Sequence, residues 1–393
     1  MSSKSDVKSG EKNNETETST LWETLKFKKA TPGVVKINTS ALQKPIEPPT
    51  VISHTKTVAS SPQKYSEYNY QEVADDSKIK SIEKVLKADK IDIKALKEVA
   101  WTGVPSKYRA ETWKLLLGYM PVVRDRQQMT IERKRKEYLE CIPRYYDTKD
   151  VEGTDLDRTT YRQIDVDMPR TAPDIPLFHE EEIQNRLKRL LYIWAIRHPG
   201  SGYVQGINDI CTPFIIVFLS SYTKDPYSVD VYSLPKVVLD EVEADTYWCL
   251  SRLLDGIHDH YTFDQPGIQK MMRLLEEITQ SVDEELDEHL QSEGLQYMQF
   301  AFRWMNCLLI REFSLQTVIR LWDTYLSEEN GFDTYHVYVC ACYLKQGRDQ
   351  LLSMDFQSML LYLQNPSKEW DTEKTEDLLS QAFILKSTFG KTH

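Results

Sequence analysis

An arginine and a glutamine stand in two short, distinctive settings. Arg170 closes Ile164-Asp165-Val166-Asp167-Met168-Pro169-Arg170, and Gln205 sits within Gly202-Tyr203-Val204-Gln205-Gly206-Ile207-Asn208. A guanidinium is a planar fork of donors that keeps its charge, and a carboxamide joins a donor to an acceptor and so can hold a water. Phosphoryl transfer to water uses both. An inserted arginine stabilises charge on the equatorial oxygens, while the attacking water must be aligned with the leaving oxygen.

The neighbours of these two residues allow more than one reading. Asp167, three before Arg170, has the spacing at which a carboxylate caps a helix turn or holds the guanidinium in one orientation. Pro169 fixes one backbone angle beside it. Asp165 and Asp167, two apart, could instead share a divalent cation. Gly202 and Gly206 permit tight turns and close approach of another surface to Gln205. Gly-x-x-x-Gly is equally a helix-packing pattern, and a lone loop glutamine is usually solvated.

Other clusters read more plainly. His258-Asp259-His260 lacks the convergent third and fourth groups a metal needs and is expected to be a solvated helix end. Cys340-Ala341-Cys342 places two thiols on different sides of a helix, which suits burial better than metal binding. Arg133-Lys134-Arg135-Lys136 could steer an acidic partner or a phosphoinositide surface, with a solvated helix face as the favoured reading. No metal site is expected. The sequence holds no Gly-x-x-x-x-Gly-Lys-Ser/Thr loop, nucleophile elbow or kinase catalytic loop. A nucleotide that meets Arg170 and Gln205 is therefore expected to arrive on another protein.

The elements that must position these residues are helical. From about Ser77 apolar residues recur every three to four positions, most clearly at Ile183, Leu187, Leu190, Leu191 and Trp194 in a helix expected over 179–197. A second helix is expected to run unbroken through Ile268, Met271, Leu275, Val282, Leu286 and Leu290. The β-branched run 214–219 extends an apolar segment from Ile207 that is long for a strand, so a central buried helix is expected. Sustained alternation with hairpin turns is absent. Trp322-Asp323 and Trp370-Asp371 are expected in helices rather than in propeller blades. The fold class is all-α.

Residues 1–75 are rich in Ser, Thr, Lys, Glu and Pro, and are expected to form a disordered tail, with Leu21 to Phe27 as one amphipathic stretch. Residues 76–393 would form the helical domain, and the chain's 8 Trp and 22 Tyr, most of them there, supply ample apolar area. A formal net charge of −11 argues against nucleic acid or an anionic membrane recognised by bulk electrostatics. Six cysteines without a paired framework fit reduced thiols in a cytoplasmic protein. The sequence offers no secretory signal, lipidation box or apolar run near the roughly 20 residues a transmembrane helix needs.

Several motifs occur in an order that resembles one family. Gly103-Val104-Pro105 precedes Arg109, Trp113 and Leu115-Leu116-Leu117-Gly118; Ile164-x-x-Asp167-x-x-Arg170, Tyr203-x-Gln205-Gly206-x-Asn208 and Arg320-Leu321-Trp322-Asp323 follow. From about Trp101 to Phe389 the chain resembles the TBC-domain GTPase-activating proteins for Rab GTPases. The phrases Tyr192 to Pro199, Glu243 to Cys249 and Phe300 to Asn306 resemble a Golgi-associated branch with yeast and animal members. Val104 and Ile207 stand where isoleucine and methionine are frequent, which leaves the chemistry intact.

The resemblance implies a multi-helix TBC domain of two helical subdomains and a two-finger mechanism. Arg170 would be an arginine finger and Gln205 a glutamine finger supplied in trans. Asp167 would support the arginine loop, and Tyr203, Gly206 and Asn208 would frame the glutamine loop. Arg109 and Trp113 would be mainly structural, with Rab contact as a second role. The chain would be an enzyme activator with no cofactor of its own, since the partner Rab carries GTP and Mg2+. It would act in vesicle traffic, cytoplasmic or peripheral at Golgi membranes, with a Golgi adaptor or a second copy as further candidate partners. The alternative is a helical scaffold that binds GTP-loaded Rab or an adaptor without turnover.

Overall fold

The computed structural model describes residues 76–151, 153–365 and 370–390. The expected disordered tail and the stretch from Leu21 lie outside the described residues. Among the described residues sixteen α-helices follow one another: α1 (Asp76–Leu86), α2 (Ile93–Ala100), α3 (Ser106–Leu116), α4 (Arg124–Cys141), α5 (Asp155–Asp167), α6 (Glu181–Arg197), α7 (Ile207–Leu219) and α8 (Lys236–Gly256). The second half comprises α9 (Pro266–Val282), α10 (Glu284–Ser292), α11 (Tyr297–Asn306), α12 (Leu315–Ser327), α13 (His336–Gln346), α14 (Arg348–Leu351), α15 (Phe356–Gln364) and α16 (Thr372–Phe389). Among the described residues there is no strand, only an isolated antiparallel bridge between Lys90 and Val123. The expected all-α class holds.

Local chemistry sets many of the boundaries. The Asp92 carboxylate accepts from the backbone N–H groups of Lys94 and Ala95, and Thr154 with Asp157 forms a reciprocal capping box at the start of α5. The helix expected to run unbroken from Ile268 to Leu290 is in fact two. Asp283 leaves helical geometry, accepts from the Leu286 N–H at 3.2 Å, and also receives Arg348 Nε at 2.8 Å. A cap inside an apolar repeat ended one helix and began the next. Trp370 also departs from expectation: it precedes α16, and Asp371 is the N-cap.

Helix α7 is buried at every residue, its polar Asn208, Asp209 and Thr212 included, and it packs against α8. Most buried apolar side chains form one cluster reaching from Ala110 to Phe389, and a smaller cluster joins α1, α2 and the start of α3 around Leu86 and Leu96. The basic stretch on α4 is only partly a solvated face. Arg133 and Lys136 are exposed, but Arg135 makes a two-pronged pair with Asp245 at 2.9 and 2.7 Å, and Lys134 lies over the Trp248 ring.

Two sequence motifs more than 200 residues apart meet at Asp323. Its carboxylate accepts from the Val104 N–H at 2.8 Å, Trp113 Nε1 at 2.7 Å and Arg109 Nε at 3.2 Å. A fully buried carboxylate is tolerated because these donors surround it. Gly103, at φ +96°, lies so near Arg320 that a Cβ there would stand 2.8 Å from its Nε. Arg320 is in turn fixed by Glu376 of α16 at 2.6 and 2.7 Å.

Candidate functional site

The arginine turn begins where α5 ends. Met168–Arg170 forms a single 3-10 turn with Pro169 inside it, Thr171 is extended, and Ala172 takes a left-handed φ of +41°. Pro169 suits the turn because its ring sets φ and it needs no N–H partner. The glutamine turn precedes α7. Gly206, at φ +109°, is the N-cap of that helix, and a Cβ there would stand 2.5 Å from Asn306 Nδ2. Only glycine suits that backbone and that contact.

A closed set of buried hydrogen bonds joins the two turns. The Tyr203 hydroxyl donates to Asp167 Oδ2 at 2.8 Å and lies 3.2 Å from Asn208 Oδ1, which accepts the Gly206 N–H at 3.1 Å. Asn208 Nδ2 donates to Thr171 Oγ1 at 2.9 Å, and that hydroxyl donates to the Asp167 carbonyl at 3.0 Å. Asp167, Tyr203, Gly206 and Asn208 are thus brought together. Arg109 and Trp113 are elsewhere, on Asp323.

Asp167 does not grip the guanidinium, contrary to the expectation drawn from its spacing. Its carboxylate faces Tyr203, and the exposed Arg170 makes no hydrogen bond or ion pair among the described residues. Helix α5 points the acid into the core while the next turn swings the arginine outward. The Gln205 side chain likewise makes no hydrogen bond among the described residues; only its carbonyl is held, by Asn306 Nδ2 at 2.9 Å.

Burial raises Asp167 above the ordinary carboxylate range, opposed by the Tyr203 bond and the charges of Arg311 and Arg170. Burial also pushes Tyr203 well up, and the Asp167 charge adds to it, so the hydroxyl stays a donor. Behind α7, Asp209 accepts Arg311 at 2.7 and 2.9 Å.

Sequence reasoning gave no role to Asn306, Asp209, Arg311, Thr171 or Gln265. Asn306 stood in the run Phe300 to Asn306 and Asp209 directly follows Asn208, yet nothing in the spacing joins Asn306 to a turn 101 residues away. His258-Asp259-His260 also departs from the solvated helix end. It is a 3-10 turn in which His260 is wholly buried, with Nε2 3.8 Å from Asp333. Among the described residues no group of three or more His, Cys, Asp or Glu has the geometry of a metal site. Cys340 and Cys342 are buried free thiols.

Residues 106–352 match the family model described as the Rab-GTPase-TBC domain. The chain is 48% identical over 318 residues to "GTPase-activating protein gyp1" of Schizosaccharomyces pombe, across 80% of this chain and 62% of that protein. It is 47% identical over 321 residues to "TBC1 domain family member 22B" of Homo sapiens, across 81% of this chain and 63% of that protein. The crystal structure of the Ypt/Rab-GAP domain of Gyp1p superposes with a TM-score of 0.75 at 44% identity, covering 80% of this chain and 98% of that one. The chain thus spans a little over 60% of the length of these curated relatives. With the family pattern matched across most of the helical region and the fold shared with a solved member, this chain belongs to the Rab-GTPase-TBC domain family.

Proposed function

We propose that this chain is a GTPase-activating protein for Rab GTPases, and that Arg170 and Gln205 complete the active site of the partner. The observation that carries the reading is the pairing of two free side chains with one rigid base. Both turns hang from the Asp167–Tyr203–Asn208–Thr171 bonds, yet among the described residues neither the guanidinium nor the carboxamide has a hydrogen-bond partner. A charged fork and a carboxamide held on one fixed framework are available to a partner's phosphate and water.

In this mechanism the Rab brings GTP and Mg2+. Arg170 donates to oxygens of the transferring phosphoryl group as charge develops there, and Gln205 accepts from and donates to the attacking water. Asp167, Tyr203, Gly206 and Asn208 keep the two turns in register. Arg109 and Trp113 act through the fold, on Asp323. A role in vesicle traffic at Golgi membranes rests on the branch resemblance in the sequence. Among the described residues no helix is long and apolar enough to cross a membrane.

Single-turnover GTP hydrolysis by a panel of Rabs tests the proposal. An arginine finger in trans contributes about 10³ to 10⁵ in rate. Arg170→Ala should remove most of the stimulation, and Arg170→Lys nearly as much, because an ammonium lacks the fork. Equal stimulation by wild type and Arg170→Ala would defeat the mechanism, and binding of GTP-loaded Rab without turnover by wild type would favour the scaffold.

A further inference from the structure

Gln205 lies in a turn bracketed by Gly202 and Gly206, both at positive φ, and its carboxamide makes no hydrogen bond among the described residues that would fix where it points. Its carbonyl is held by one side chain, Asn306, which is buried at the end of α11. We propose that Asn306 is a positioning residue for Gln205, oriented by Gln265 and by the left-handed turn that follows it. This rests on the reading of Gln205 as the residue that aligns the attacking water.

Asn306 is itself held at three points. Its Oδ1 accepts Gln265 Nε2 at 3.2 Å, which leaves Nδ2 as the donor that faces Gln205; its backbone carbonyl accepts the Tyr261 hydroxyl at 3.0 Å. Gln265 Nε2 also donates to the His260 carbonyl at 2.8 Å, so both amide hydrogens are used. Gln265 adopts φ +44° and its neighbour Asp264 φ +62°, a conformation a side chain disfavours and surrounding bonds must hold.

The chain beyond Asn306 shows the same pattern. Leu308 and Leu309 are consecutive, wholly buried, and left-handed at φ +50° and +60°. Two such non-glycine residues in succession persist only where packing over-determines them, and such strain gathers at functional sites. Past this turn Arg311 reaches Asp209 in the first turn of α7. The segment 306–311 therefore grips the glutamine turn at the Gln205 carbonyl and, just beyond the turn, at Asp209. Release of the first grip would let the carboxamide drift, and a displacement of about 1 Å at a reacting centre can cost about a hundredfold in rate.

The test is single-turnover hydrolysis by a GTP-loaded Rab that the full chain stimulates, with Gln205→Ala and thermal melting measured alongside. Asn306→Asp keeps shape but sets an oxygen against the Gln205 carbonyl. It should lower kcat about tenfold to a hundredfold, leave the half-saturating concentration within about twofold, and cause no further loss on a Gln205→Ala background. Gln265→Met, which frees Asn306 without touching Gln205, should lower kcat less but in the same direction. Unchanged kcat in Asn306→Asp beside an impaired Gln205→Ala would overturn the positioning role alone. Full activity in Gln205→Ala would overturn the reading of Gln205, and this role with it. Further loss on the Gln205→Ala background would mark Asn306 as a general structural residue. Were Asn306→Asp to unfold, unchanged kcat in Gln265→Met would overturn the proposal.

Discussion

The Tyr203 hydroxyl lies 2.8 Å from the Asp167 carboxylate, and this one bond ties the end of the helix before the arginine turn to the loop that carries the glutamine. Tyr203→Phe removes it and leaves a buried carboxylate short of a donor. Loss of a buried donor to a polar partner costs about 1 to 3 kcal/mol. Urea denaturation should register that loss. Stimulated hydrolysis should fall as well, because both turns lose a shared support. Unaltered stability in Tyr203→Phe would mean that water replaces the hydroxyl.

Asp323 is predicted to matter more to stability than any single donor that surrounds it. Asp323→Ala takes the carboxylate partner from the Arg109 guanidinium, which keeps the Val104 carbonyl, and leaves the Val104 N–H and Trp113 Nε1 without their acceptor in the core. Breaking a buried charge pair by removing one partner costs about 3 to 5 kcal/mol. Arg109→Ala should cost less, since Val104 and Trp113 still satisfy Asp323. For Arg109→Ala, denaturation together with Rab binding separates structural loss from contact loss: a shifted midpoint with unchanged affinity is expected.

His336 should make stability depend on pH. Burial pushes it down to about 3 from 6.5, with the Trp304 carbonyl opposing, nearby His260 reinforcing and Asp333 opposing; the Tyr325 hydroxyl and Cys340 thiol also face the ring. Below pH 6.5 the unfolded chain takes up a proton here that the folded chain refuses. The unfolded state then binds more protons, so this contribution to stability falls as pH drops from 6.5 toward 3. Between pH 6.5 and 5.0 it should lose about 1.5 kcal/mol. Denaturation of wild type and His336→Gln at both values checks it: the stability gap should narrow by that amount at pH 5.0.

The helical class, the central position of 207–219 and the two motif turns were legible because period and local chemistry are written in contiguous residues. The partners of those turns were not. Asp167 has the spacing to reach Arg170, but the exit from α5 buries the acid and leaves the arginine exposed, and the acid finds Tyr203 instead. Asn306 is joined to Gln205, and Asp323 to Val104, only by the tertiary path of the chain. His260 looked solvated because its neighbours are polar, yet the turn folds it beneath α9, where a Cβ on Gly267 would stand 2.4 Å from its ring.

The last helix has a consequence for where this unit can be cut. The family pattern stops at residue 352, but α16 buries Leu378, Leu379 and Ala382, receives the Tyr335 hydroxyl at the Leu379 carbonyl, and supplies Glu376 to Arg320. Lys386 joins Glu328, which also accepts Trp101 Nε1, and Phe383 meets the Trp101 ring edge-on. The opening motif is therefore closed by a helix some 270 positions later. A fragment cut at residue 352 would bare apolar surface on α13 and take Glu376 away from Arg320 behind Gly103, so a piece meant to fold as one body has to extend through Phe389.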